Sequence, residues 1–185
     1  SDFQQQDTYY IVAHIHYVLF GGSIFGIFAG IYYWWPKITG KMLNETTGRL
    51  HFWLTFIGMN LTFFPMHFLG LNGMPRRIYP YSAQFGWQHL NQIASIGYVV
   101  LFVGFLAFLF NVWQTRNSRK VGHDPWDAPG VEWSISSPPP PYNFAELPQI
   151  EGRDHYWIVK ENAEAAGTPI TGPEALVDES TIHMP

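Results

Sequence analysis

The sequence contains no cysteine and little charge: Asp, Glu, Lys and Arg make up 13% of its 185 residues. The absence of cysteine excludes a disulfide framework and thiolate ligands for a metal. The formal net charge is −4, and most of the acidic residues lie in the last third of the chain. That distribution is typical of a solvated surface, and it predicts no nucleic-acid partner.

The N-terminus lacks the basic region, short apolar core and small-residue cleavage site of a signal peptide. The first six residues are mostly polar and lead directly into an apolar run. We therefore expect the sequence to be a segment of a longer polypeptide.

Three long windows contain no Asp, Glu, Lys or Arg at all: residues 8–36, 50–75 and 78–115. A hydrocarbon core of about 30 Å is crossed by about 20 mostly apolar residues in a helix, which satisfies its own backbone hydrogen bonds. The sequence therefore predicts an all-α integral membrane protein. Its transmembrane helices are expected at about 9–35, 50–71 and 88–113.

The ends and faces of these helices carry further signals. Pro36 follows two tryptophans and is expected to stop the first helix at the membrane interface. Gly22, Gly26 and Gly30 recur every four residues, which predicts a close-packing face against a neighbouring helix.

Positive charge predicts the orientation, because short cytoplasmic loops carry an excess of Lys and Arg. The first loop and the stretch after the third helix have this excess, with Lys37, Lys41, Arg49, Arg116, Arg119 and Lys120. Residues 1–115 are thus predicted to be a membrane segment and residues 116–185 a cytoplasmic tail. The tail contains the run Pro138 to Pro141, which predicts an extended segment, and its aromatic residues are expected to anchor it.

His14 and His16 lie two residues apart within the first predicted helix. Successive helical residues are rotated by about 100°, so the two side chains point to opposite sides of the helix. They cannot converge on one zinc ion, which takes four ligands around a single point. A haem iron asks the protein for only one or two axial ligands, so each histidine could hold a different haem. The alternative is that each is a structural histidine bonded to a neighbouring helix.

Arg76 and Arg77 lie in the loop on the outer side, where the charge rule predicts few cations. Arginine suits carboxylate recognition, and adjacent residues in an extended loop point to opposite sides, so the pair could bind the propionates of two haems. The alternative is contact with lipid headgroups. Asp7 could complement the helix dipole or ligate Mg²⁺ or Mn²⁺. For His51, His67 and His89 a structural role is expected.

Three motifs closely resemble the C-terminal part of subunit I of the haem-copper cytochrome c oxidases. They are DTYYIVAHIHYV at residues 7–18, FFPMHFLGLNGMPRR at 63–77 and SSPPPPYNF at 136–144. They occur in the family's order, and the first two are highly specific.

The resemblance implies that the chain supplies the last three helices of a core of about twelve. It implies that His14 is the proximal ligand of a high-spin haem facing copper, which makes it catalytic, and that His16 is an axial ligand of a low-spin haem. Arg76 and Arg77 would bind the propionates of both haems, and Asp7 would bind magnesium or manganese. The haems are expected to be haem A, and the copper ligands lie outside this segment.

The resemblance also implies a terminal respiratory oxidase that takes electrons from cytochrome c, reduces oxygen to water and pumps protons. The expected partners are the rest of subunit I, subunit II with its dinuclear copper centre, subunit III, cytochrome c and the lipid bilayer of the bacterial cytoplasmic membrane. Two departures are notable: Gln6 stands where the family usually has histidine, and Ile15 where it usually has phenylalanine. The alternatives are a quinol-oxidising member of the family and a non-catalytic haem-carrying membrane module.

Overall fold

A computed structural model describes residues 2–150 and 152–168. In this part of the chain the regular structure is helical, with no β-strand. The helices are α1 (Asp2–Gln5), α2 (Tyr9–Thr39), α3 (Glu45–Leu71), α4 (Gln88–Thr115) and α5 (His155–Ala165). Short 3₁₀ turns occur at Ala83–Phe85 and Val131–Ser134. The predicted all-helical class is confirmed.

Three of the helices, α2, α3 and α4, are long and apolar enough to cross a membrane. They contain 31, 27 and 28 residues, so each exceeds the roughly 20 residues that a hydrocarbon core requires. The three predicted helices are therefore present, although three of their ends differ from the prediction.

The prediction that Pro36 stops the first helix is wrong. Pro36 lies inside α2, which continues to Thr39 and is followed by Gly40 in a left-handed conformation, with φ +69°. A proline removes one backbone donor, but the helix continues past it: the Gly40 N–H donates to the carbonyl of Pro36 at 2.8 Å. Lys37 also holds this turn, because its Nζ donates to the carbonyl of Ile135 at 2.7 Å.

α2 is not a uniform α-helix. It is α-helical over Tyr9–His16, π-helical over Tyr17–Ile24 and α-helical again over Phe25–Thr39. A π segment rotates the residues that follow it relative to those before it, and such segments are frequent near functional sites. This one begins directly after His16.

α3 begins at Glu45, five residues before the predicted start at Leu50. Asn44 caps it by accepting a 2.9 Å hydrogen bond from the backbone N–H of Thr47. The buried side chain of Asn111 on α4 fixes this cap. Its Oδ1 accepts from the Asn44 N–H at 2.9 Å and its Nδ2 donates to the Asn44 carbonyl at 3.0 Å.

Small residues allow α3 and α4 to pack closely. A Cβ added at Gly58 would lie 2.6 Å from the backbone nitrogen of Leu101, so only glycine fits this contact. The glycine face predicted on α2 has no such close neighbour: nothing in the described residues lies within 4 Å of a Cβ built at Gly22 or Gly26. A neighbour for that face remains a prediction.

The chain divides into two compact units. Among the described residues, the first comprises 2–30 and 44–116, and the second comprises 31–43, 117–150 and 152–168. The division at residue 115 into a membrane segment and a cytoplasmic tail remains a prediction. Residues 169–185 of the predicted tail lie outside the described residues.

The second unit is built around aromatic residues. Trp133 is fully buried and its Nε1 donates to the Tyr33 hydroxyl at 3.0 Å. The Nε1 of Trp126 donates to the Tyr33 carbonyl at 2.8 Å, and the two rings are nearly parallel. Two of the aromatic residues predicted to anchor the tail therefore pack on the end of α2. The position of the tail relative to a membrane remains a prediction.

A nearly buried ion pair attaches α5 within this unit. The Nζ of Lys160 lies 2.5 Å from Oδ2 of Asp124 and 2.7 Å from Oδ1 of Asp127, and it lies over the ring of Tyr156. Burial alone would lower the pKa of Lys160. The hydrogen bonds and charges of the two aspartates outweigh that effect and raise the pKa above its ordinary value.

Candidate functional site

His14 and His16 lie in the α-helical first part of α2. Thr8 begins this helix as its cap, with Oγ1 accepting a 3.2 Å hydrogen bond from the N–H of Tyr10. Because Tyr9–His16 is regular, residues two apart point about 200° apart around the axis. The surroundings differ accordingly: His14 is exposed, whereas His16 is partly buried against Phe63 of α3.

The His16 ring has a defined tautomer. Its Nδ1 lies 2.7 Å from the carbonyl oxygen of Val12. A carbonyl oxygen only accepts hydrogen bonds, so Nδ1 carries the hydrogen and the Nε2 of the neutral ring keeps a lone pair. A metal-binding histidine typically donates its other ring N–H to such an acceptor. The lone pair of Nε2 is thus the one that His16 could offer to a metal.

His14 differs from His16. Over residues 2–150 and 152–168, it makes no hydrogen bond and no ring contact. Either ring nitrogen can therefore bind a ligand, according to which of them carries the hydrogen. The described residues also contain no group of three or more His, Cys, Asp or Glu that could hold a metal ion. A porphyrin supplies four ligands to its iron, so one imidazole per centre is enough for a haem.

The start of α2 and the loop after α3 are joined through their backbones. The N–H of Tyr9 donates to the carbonyl of Met74 at 3.0 Å, and the N–H of Arg76 donates to the carbonyl of Asp7 at 2.8 Å. The Arg76 guanidinium also forms an ion pair with the Asp7 carboxylate. The structure therefore brings together two of the predicted site residues, Asp7 and Arg76, on the side where α2 begins.

Arg76 retains donor capacity beyond this ion pair. In the described part of the chain, its Nε is buried and has no hydrogen-bond partner. A buried donor without an acceptor is unfavourable, which indicates a site where an acceptor is expected. Guanidinium presents five N–H donors, so one carboxylate on Arg76 does not preclude a second.

Arg77 departs from the predicted extended loop. Its φ is +66°, and Arg76 and Arg77 lie in a turn, so the prediction of an extended backbone at this pair is wrong. The opposed directions of the two side chains remain a prediction. The Arg77 side chain is exposed and has no ion pair within the described residues. It is available to an anion.

Asp7 has an observed partner other than a metal. Its carboxylate pairs with Arg76, and its backbone is in the left-handed region, with φ +60°. Gln6, which precedes it, is exposed. Binding of Mg²⁺ or Mn²⁺ at Asp7 remains a prediction.

The sequence did not predict the surroundings of His67. Its ring lies edge-on to Tyr10 at 5.1 Å and tilted to Tyr17 at 5.4 Å. The Tyr17 hydroxyl donates to Oδ1 of Asn60 at 2.7 Å. These contacts join α2 to α3, and they agree with the structural role expected for His67.

The aromatic contact of His16 was also not predicted. Phe63 stacks on the His16 ring with centroids 4.3 Å apart and an interplanar angle of 15°. Residues 63 and 64 are both phenylalanine, and the sequence gives no signal that the first of them faces His16.

Comparison with known proteins adds a family assignment to this geometry. Residues 1–124 match the family model described as cytochrome c and quinol oxidase polypeptide I. Cytochrome c oxidase subunit 1 of Bacillus sp. strain PS3 is 47% identical over the whole chain, and that of Synechocystis sp. strain PCC 6803 is 53% identical over 80% of it. Quinol oxidase subunit 1 of Bacillus spizizenii is 43% identical over 87% of the chain.

The matches cover only part of each relative. The aligned regions are 29%, 27% and 25% of the lengths of these three proteins. The chain therefore spans less than a third of the curated relatives that it matches.

Proposed function

Because the chain belongs to the cytochrome c and quinol oxidase polypeptide I family, we propose that it is part of a haem-copper oxidase subunit I. This part would present one axial histidine to each of two haems. His14 holds the high-spin haem at which oxygen is reduced. His16 holds the low-spin haem that delivers electrons. The observation that carries the proposal is the difference between the two rings: His14 is exposed and without a partner in the described residues, while His16 is held with Nε2 available.

The residues present fit a haem. Imidazoles on opposite sides of one helix suit two irons, each of which needs an axial ligand. The bound haems supply the redox and oxygen-binding chemistry, with haem A proposed at both sites. The chain's own residues hold, orient and electrostatically balance the two groups. Copper would be held by residues outside this segment.

Arg76 and Arg77 are proposed to bind haem propionates. The support is the buried Nε of Arg76, which has no acceptor in the described residues, and the exposure of Arg77. Each propionate carries a negative charge, and guanidinium can bind a carboxylate with two parallel hydrogen bonds. These contacts would neutralise the propionates and favour the reduced state of the iron.

We propose that cytochrome c is the electron donor and that its electrons arrive through a subunit II with a dinuclear copper centre. Oxygen reduction would be coupled to proton pumping in an assembly that includes subunit III. The relatives named cytochrome c oxidase subunit 1 support this choice. A quinol-oxidising enzyme is the second candidate, because the chain is also 43% identical to a quinol oxidase subunit 1. The assembly would lie in the bacterial cytoplasmic membrane with residues 116–185 on the cytoplasmic side.

The proposal is tested by the reduced-minus-oxidised visible spectrum of the detergent-purified assembly that contains this chain. We expect two haem components, of which carbon monoxide shifts only one, because the haem held by His14 would be the one that binds oxygen, whereas the haem held by His16 would only transfer electrons. A spectrum without haem would contradict the proposal and leave a packing module. Haem without any carbon monoxide shift would favour a non-catalytic haem-carrying module. A dinuclear copper centre in the partner subunit would select cytochrome c over quinol.

A further inference from the structure

Phe63 and His16 form a ring pair across the contact between α2 and α3. The centroids are 4.3 Å apart and the planes are 15° from parallel, which is a stacked arrangement. Phe63 is itself supported on the α2 side, since the ring of Phe20 lies 6.3 Å from it. The His16 imidazole thus has a flat aromatic surface against one of its faces.

The stack acts together with a second restraint on the same ring. A histidine side chain has a broad preference at its outer torsion, so a helix alone does not define the plane of the imidazole. The 2.7 Å contact from Nδ1 to the Val12 carbonyl fixes one edge of the ring, and Phe63 limits rotation about that edge. The two contacts together define the direction of the Nε2 lone pair.

His14 provides an internal comparison. It lies on the same helix only two residues away, yet it has neither a hydrogen bond nor a ring contact within the described residues. This chain therefore restrains one imidazole and leaves the other unrestrained. The difference cannot arise from the helix, because both residues belong to its regular α-helical part.

We propose that Phe63 is a positioning residue that sets the plane of the His16 imidazole at the low-spin haem. This inference rests on the proposed role of His16 as an axial ligand. With a haem bound, the plane of the His16 ring would influence the low-spin ferric signal, so a loosened ring would broaden and shift it. The haem would stay bound, since His16 itself is unchanged.

The test uses Phe63→Leu in the complete oxidase assembly. Leucine retains apolar volume and removes the flat ring. The electron paramagnetic resonance spectrum of the oxidised low-spin haem is recorded together with its midpoint potential and the haem content. We expect a broadened and shifted low-spin signal and an altered potential at unchanged haem content, with the carbon monoxide band of the other haem unchanged.

Two matched variants isolate the stack. Phe68→Leu makes the same substitution on α3 at a position about 140° away around the helix, where the ring contacts Phe64 instead of His16. It should leave the low-spin signal at its parent shape. Phe63→Tyr keeps the aromatic ring and should also leave the low-spin signal at its parent shape. If Phe63→Leu fails to assemble, Phe63→Met makes the same comparison with a flexible side chain of similar volume.

The outcomes separate this inference from the proposed function. A parent-like signal in Phe63→Leu, or equal changes in the leucine variants at 63 and 68, would overturn the positioning role and leave the ligand role of His16 standing. So would a tyrosine variant that is altered as much as the leucine variant. A low-spin signal that survives in His16→Ala would instead overturn the proposed function itself.

Discussion

The Asp7 carboxylate is ion-paired with the guanidinium of Arg76, and the Arg76 N–H donates a 2.8 Å hydrogen bond to the carbonyl of Asp7. This double link joins the start of α2 to the loop after α3. It explains how a carboxylate near the start of a membrane helix is balanced by a cation from the same chain.

Asp7→Asn tests how much of this link is electrostatic. The side chains are 62% and 34% exposed, so the ion pair is expected to contribute less than about 1 kcal/mol, and the backbone hydrogen bonds remain. The thermal midpoint of the assembly should fall slightly and the haem spectrum should be unchanged. Glu146→Gln, at an exposed carboxylate, is the control. Loss of a bound Mn²⁺ resonance in Asp7→Asn alone would instead favour the predicted role of Asp7 as a metal ligand.

Arg77→Met tests the propionate contact. Removing a positive charge near a haem stabilises the oxidised iron, so the midpoint potential should fall without loss of haem. A fall of tens of millivolts is expected, since an interaction on the order of 1 kcal/mol corresponds to roughly 40 mV for one electron. Arg119→Met removes an exposed cation elsewhere and should leave the potentials unchanged. Unchanged potentials in Arg77→Met would return that residue to a lipid or loop role.

Gly70→Ala tests the close contact that sets α2 against α3. A Cβ at Gly70 would overlap the backbone nitrogen of Tyr10, so the start of α2 must move away from α3. We expect weaker assembly and a low-spin haem signal of reduced amplitude, because the displacement is carried along α2 to His16. Gly122→Ala adds a methyl group where no described residue lies within 4 Å, and should match the parent. Equal haem content and equal low-spin signal in the two alanine variants would contradict the expected role of this contact in positioning α2.

Lys160→Met tests the attachment of α5. The substitution leaves the Asp124 carboxylate, which is 7% exposed, without its cation, at a cost on the order of 3 kcal/mol. Amide hydrogen exchange over residues 155–165 should become faster. Glu164→Gln on the exposed face of the same helix should not change it.

The same ion pair predicts a pH dependence with a definite sign. The pKa of Lys160 is raised in the folded chain, so its contribution is fully present below the ordinary pKa of lysine and is lost as the pH rises through the raised value. Exchange over α5, corrected for the intrinsic rate, should therefore be constant from about pH 7 to pH 9. Protection that already fell within this window would contradict the assignment.

The three spans could be predicted because long windows without charged residues are visible in the local composition of the sequence. Their ends could not, because they depend on single contacts. Pro36 remains helical where Lys37 reaches Ile135, and α3 begins early because Asn44 caps it and Asn111 holds the cap. Neither partner is near in sequence.

The candidate site shows the same division. The opposed directions of His14 and His16 follow from the helix repeat alone, so the sequence could predict them. The stack of Phe63 on His16 depends on how α2 and α3 pack, and the turn at Arg77 depends on a left-handed backbone at a residue that rarely adopts it. Periodicity and composition contain no information on either feature.

His14 and His16 are proposed to hold different haems, and paired substitutions distinguish the two sites. The reduced-minus-oxidised spectrum is recorded for the assembly with His14→Ala and for the assembly with His16→Ala. We predict that His14→Ala removes the component that shifts with carbon monoxide, and that His16→Ala removes the component that does not. Loss of the same component in both variants would mean that the two histidines do not hold different haems.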